Sequence, residues 1–127
     1  MKRQLAIIVS LLLSTIGTQA VDEFIHIAIV ACGAARSVEL LASVKSSLLA
    51  ARHPERYFFH LFHSKDDGNS VFIANVLSQW NKVIQFSFEV LESRIPSNYS
   101  SLFAPCACQR LFLHEILSTD KVIYLDS

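Results

Sequence analysis

Apolar residues in this chain fall into short dense runs, separated by stretches in which they recur every three or four positions. Residues 24–32, FIHIAIVAC, are almost continuously apolar, as a strand buried on both faces of a parallel sheet requires. Residues 36–52 change to helical spacing, with Val38, Leu41, Val44, Leu48 and Ala51 on one face and Pro54 closing the segment. Residues 57–63, YFFHLFH, read as the next strand. A polar turn over 64–69, containing Asp67-Gly68, leads into a helix over 70–80 capped by Asn69 or Ser70. Its expected buried stripe is Val71, Ala74, Leu77 and Trp80. Residues 83–91 alternate, with Ile84, Phe86, Phe88 and Val90 set against Val83, Gln85, Ser87 and Glu89. That pattern predicts a half-buried strand near a sheet edge.

After a loop over 92–102, residues 103–127 repeat the helix-to-strand theme. Pro105 suits a first helical position, and Leu111, Phe112, Leu113, Ile116 and Leu117 follow at helical spacing. Val122, Ile123, Tyr124 and Leu125 then form a short apolar strand that ends on Asp126. Alternating strands and amphipathic helices predict a Rossmann-like three-layer α/β unit over 24–127, with a mostly parallel sheet of about four strands. Ligands in such open sheets sit beyond the carboxyl ends of the strands. Cys32 and Asp126 stand at two of those ends, and Arg110 is expected to converge on the same cleft.

The first twenty residues have another character. Lys2 and Arg3 precede twelve residues of apolar core over 5–16 and a small-residue exit over 17–20. Twelve is short of the roughly 20 residues needed to span a bilayer. Residues 1–20 therefore read as a cleaved signal peptide or a short signal anchor, and either places residues 21–127 in the lumen of the secretory pathway. In that compartment the sequon Asn98-Tyr99-Ser100 makes Asn98 a glycosylation candidate.

Composition mainly excludes. The formal net charge of the 127 residues is zero, so nothing suggests nucleic acid or a membrane surface as an electrostatic partner. There is no G-x-G-x-x-G, G-x-S-x-G, H-E-x-x-H or G-x-x-x-x-G-K. His60 and His63 are three apart on a period-2 element, so they point to opposite faces and read as one core and one rim histidine rather than a metal pair. Trp80 reads as core rather than as a platform for a sugar. The three cysteines, Cys32, Cys106 and Cys108, leave at least one thiol unpaired in a monomer. Buried free thiols are the expectation, with a Cys32–Cys106 bond as the alternative. Cys32-Gly33 forms a strand-to-helix turn that could cradle a nucleotide at a helix N-terminus, and Arg36 would either hold a diphosphate or cap the helix.

The segment 103–127 resembles the family 8 glycosyltransferases, and within them the glucoside xylosyltransferases, whose pattern runs PCAxQRLFLPxIL, an apolar strand, then Asp-x-Asp. It matches at Pro105, Cys106, Ala107, Gln109, Arg110, Leu111, Phe112, Leu113, Ile116, Leu117, Tyr124 and Asp126, and departs at His114 and Ser127. HIAIVACG, residues 26–33, is similar to the family's first strand, and LSQW, residues 77–80, to its LRQW. The resemblance implies a nucleotide-sugar-binding domain of the GT-A type, present here as a truncated N-terminal half over 21–127. It implies UDP-xylose as donor, with the end of the first strand, Ala31, Cys32 and Gly33, at the uridine and Arg110 reaching the donor; Arg36 stays a diphosphate ligand or a helix cap, and Gln109 a contact to the donor sugar or a solvent-facing residue. Asp126 would be the first of two aspartates holding Mn²⁺ against the diphosphate. Xylose would pass with retention to O-linked glucose on EGF-like repeats, in the endoplasmic reticulum or Golgi, with membrane attachment only through an N-terminal anchor. The second motif aspartate would fall one residue beyond Ser127, so this chain alone is expected not to transfer sugar. The alternatives are a non-catalytic truncated form, an incomplete gene model, or a family member with another donor sugar.

Overall fold

A computed structural model describes residues 24–64, 68–94 and 109–125. The elements are β1 (Ile25–Ala31), α1 (Ala34–Ala50), β2 (Tyr57–His63), α2 (Asn69–Asn81), β3 (Ser87–Glu92), a 3₁₀ turn (Gln109–Phe112), α3 (Leu113–Ile116) and β4 (Ile123–Leu125). The strands form one sheet in the order β3-β2-β1-β4, and all three pairings are parallel. The Rossmann-like α/β arrangement expected from the alternation is therefore the fold.

Strand order explains the layers. From β1 to β3 the chain moves one way across the sheet, with α1 and α2 as the crossovers. Both helices pack on the face presenting Ile27, Ile29, Ala31, Phe59, Leu61 and Phe86. From β3 it returns past β2 and β1 to place β4 on the far side of β1. That connection covers the other face, where Leu113 and Leu117 pack with Ala28, Val30 and Phe62. The direction of winding thus reverses between β1 and β4, which makes their carboxyl ends the switch point where open α/β sheets bind ligands.

Several local expectations shift. The buried face of α1 is Ser37, Leu40, Leu41, Val44 and Leu48, while Val38 is 66% exposed. In α2 the buried residues are Ile73 and Leu77, with Val76 and Trp80 against the core and Val71 66% exposed. The stripe expected for α2, at a constant spacing of three, drifts around a 3.6-residue helix; the observed pairs Ile73/Leu77 and Val76/Trp80, four apart, track the sheet. Trp80 packs half-buried against the core rather than within it. Neither Asn69 nor Ser70 caps α2: its N-cap is Gly68, at φ 71°, with no side-chain cap bond. A left-handed residue there costs glycine little, so the helix starts one residue early.

β3 begins at Ser87 rather than 83. Residues 82–84 turn instead, with the Val83 and Ile84 N–H groups both bonded to the Trp80 carbonyl at 2.9 Å, and the Asn81 carboxamide oxygen accepting from Phe86 N–H at 3.0 Å. The phase of the alternation is nonetheless right, since Phe86, Phe88 and Val90 meet the helix-side core. The expected C-terminal helix is shorter and starts as a 3₁₀ turn. His60 and His63 are both buried, so the rim position expected for one of them is not found. Among the described residues no helix is long and apolar enough to cross a membrane; residues 1–20 lie outside them.

Candidate functional site at the switch point

Gly33 makes the turn out of β1. Its φ is 96°, a region that side-chain-bearing residues rarely enter. Its N–H donates to Ser64 Oγ at 3.0 Å, tying the turn to the residue after β2. Its carbonyl accepts from Arg36 N–H at 3.1 Å. Gly33 is also the N-cap of α1, and no side chain caps this helix and no acid lies in its first turn. The N-terminal partial charge of a 17-residue helix thus meets no acid of its own first turn beside the switch point, a setting that favours an anion.

The residues singled out in the sequence sit differently around this turn. Ala31 is buried, with its side chain on the α1/α2 face, so only its backbone can serve a ligand. Cys32 is half-buried, on the opposite face with Val30 and Phe62. It is disulfide-bonded, which overturns the expectation of a free thiol there. Counting cysteines shows only that one must stay unpaired; which one depends on what the fold brings to the end of β1. Cys106 and Cys108 lie outside the described residues. The Arg36 guanidinium pairs with the Glu39 carboxylate at 2.6 Å, both about half exposed, an arrangement worth little to stability.

The opposite wall comes from the connection between β3 and β4. Gln109, read as either a donor contact or a solvent-facing residue, is fully buried. Its Oε1 accepts from Ser93 Oγ at 3.1 Å and from the Arg94 backbone N–H. Arg110 follows within the 3₁₀ turn; its side chain is outside the described residues. β4 runs beside β1 with Leu125 opposite Ile29. Asp126 comes next in the chain but, like Asn98, lies outside the described residues. Among the described residues no group of histidine, cysteine and acidic side chains could hold a metal ion.

Sequence reasoning missed Ser37, Ser64 and Ser93. Ser37, in the first turn of α1, is buried with no hydrogen-bond partner for its Oγ. The signal was there: it lies four and seven positions before Leu41 and Val44 on the apolar stripe, where a hydroxyl is out of place. A second concavity lies elsewhere. An apolar groove of about 220 Å³ is lined by Lys45, Leu48, Leu49, Gln79, Trp80, Val83 and Ile84. These residues belong to the C-terminal ends of α1 and α2 and the turn beyond, hence to the amino end of the sheet, away from the switch point.

The chain is similar to glucoside xylosyltransferase 1 of Mus musculus, 33% identical over an alignment of 111 residues, with 84% of this chain and 26% of that protein covered. It is 35% identical to glucoside xylosyltransferase 2 of Mus musculus over 82% of this chain and 24% of that protein. Against glucoside xylosyltransferase 1 of Homo sapiens the figures are 34%, 83% and 24%. The chain thus spans about a quarter of the length of the curated relatives it matches. No protein-family model and no solved structure matches it.

Proposed function

Since the chain is a homologue of the glucoside xylosyltransferases along most of its own length, we propose that it forms the donor-binding part of a glycosyltransferase of that family. One observation carries the reading. Two of the segments bearing the likeness, 26–33 and 103–126, are 70 residues or more apart in sequence, yet β1 and β4, on which they fall, are neighbours at the switch point.

The chemistry of sugar-nucleotide transfer fits this corner. The leaving group is a nucleoside diphosphate, so positive potential must meet its developing charge. The uncapped N-terminus of α1 supplies part of it, and Arg110 would supply a cation from the other wall. The backbone around Ala31, Cys32 and Gly33 would receive the uridine. Asp126 would be a ligand for Mn²⁺, whose preference is for oxygen; when bound, that ion would act as a Lewis acid on the diphosphate. A single carboxylate is an incomplete ligand set, because such cations take several oxygens. UDP-xylose is the proposed donor and O-linked glucose on EGF-like repeats the proposed acceptor, with retention of configuration. The disulfide at Cys32 supports an oxidising compartment, in keeping with a secretory lumen and with modification at Asn98. These 127 residues alone are proposed to bind donor without transferring sugar, since transfer also needs a positioned acceptor.

Calorimetric titration with UDP-xylose, with and without Mn²⁺, tests this. Binding is expected to require Mn²⁺ and to weaken roughly tenfold or more in Asp126→Asn, as loss of a charged ligand implies. Binding unaffected by either change would remove Asp126 from the site. Xylose transfer to a glucosylated acceptor at the rate of the full-length mouse relative would overturn the proposed inactivity.

A further inference from the structure

One hydrogen-bonded line runs along the carboxyl edge of the sheet, and Gln109 closes it. Gly33 N–H donates to Ser64 Oγ, joining the exits of β1 and β2. Ser93 N–H donates to the His63 carbonyl at 2.8 Å, joining β2 and β3. Ser93 Oγ and Arg94 N–H both donate to Gln109 Oε1, joining β3 to the 3₁₀ turn. A backbone N–H can only donate, so the atom facing Arg94 is the carbonyl oxygen, and the orientation of the amide is settled by its partner. Its Nε2 is then left buried without a partner, which by itself opposes folding. The carbonyl side is where this residue acts.

We infer that Gln109 is a positioning residue, which locks the exit of β3 onto the turn that carries Arg110, so that this turn and the sheet edge move as one body. The role of Arg110 rests on the donor-site reading above; the clamp rests on the geometry alone. A side chain with no exposed surface cannot reach a sugar nucleotide in this conformation, so Gln109 acts on the donor only through the backbone it holds.

Two variants of the full chain separate the possibilities. Gln109→Met keeps the length and removes the acceptor. Gln109→Glu, protonated by burial, keeps an acceptor oxygen and replaces the idle Nε2. Amide hydrogen exchange should quicken at Arg94 in Gln109→Met by roughly tenfold or more, the change expected from losing one or two hydrogen bonds. The amides of Ile29 and Leu61 should stay protected, and Gln109→Glu should behave as the parent chain. UDP-xylose affinity in Mn²⁺ should fall in the Met variant and be rescued in the Glu variant. Unchanged protection at Arg94 in Gln109→Met would overturn the inference. So would protection lost evenly across the sheet, which would make Gln109 an ordinary core residue. Donor affinity lost in Gln109→Glu while Arg94 stays protected would assign Nε2 to the donor and also overturn it. If the parent chain binds no UDP-xylose, the donor-site reading fails and the exchange comparison alone decides the clamp.

Discussion

The two faces of the sheet are built on different principles. Under α1 and α2 lies a broad apolar core from Ile27 to Phe86, joined by residues of all four strands. On the other face the buried apolar cluster is small, Ala28, Val30, Phe62, Leu113 and Leu117, and a line of hydrogen-bonded polar side chains with buried His60 at its centre lies beside it. His26 Nδ1 meets His60 Nε2 at 2.8 Å, and His60 Nδ1 meets Glu89 Oε1 at 2.6 Å. A Glu89 carboxylate accepts from His60 Nδ1–H, and the Nε2 of a neutral His60 then accepts from His26 Nδ1–H, a line of bonds across β1, β2 and β3. The rings of His26, Phe58 and His60 stack as well. Gln109, in the β3-to-β4 connection that covers this face, is buried as well. One face holds the fold by area; the other orders it by directed bonds, which define position more narrowly and contribute less.

The comparison breaks if truncations on the two faces cost the same. Phe59→Ala, on the helix side and fully buried, should lower unfolding stability by about 3–5 kcal/mol, read as a shift in the urea midpoint at constant slope. His60→Phe keeps the ring and removes both bonds, and should lower it by about 1–2 kcal/mol, because Glu89 is partly exposed and can turn to water. A loss as large as that of Phe59→Ala would mean that directed bonds, not area, carry the second face. Gly33→Ala should cost about 1–3 kcal/mol. A Cβ there meets nothing within 4 Å, so only the backbone, at φ 96° and ψ 161°, resists it. A larger loss, together with loss of the Ser64 bond in an amide-exchange profile, would show that the switch-point turn also supports the fold.

Much of the architecture was visible in one dimension. A strand buried on both faces is a local composition, and β2 spans the seven residues that its apolar run marks. The edge position of β3 follows from its alternation, and the parallel sheet from strands alternating with helices. The likeness to a transferase family was equally local, a dozen residues in one segment. Helix faces were less visible at their first turns: Leu41, Val44, Leu48 and Leu77 are buried as expected, but spacing alone does not separate Val38 from Ser37 or Val71 from Ile73 until a sheet selects one of each. That selection put Val38 and Val71 in water. What no local pattern could state was which distant segments meet. Residues 26, 60 and 89 form one hydrogen-bonded line, Gln109 closes on Ser93 and Arg94, and β4 takes its place beside β1 rather than β3. The same strand and helix sequence permits several strand orders. Only the packing of the β3-to-β4 connection on the second face chooses the one that puts the two family-like segments side by side.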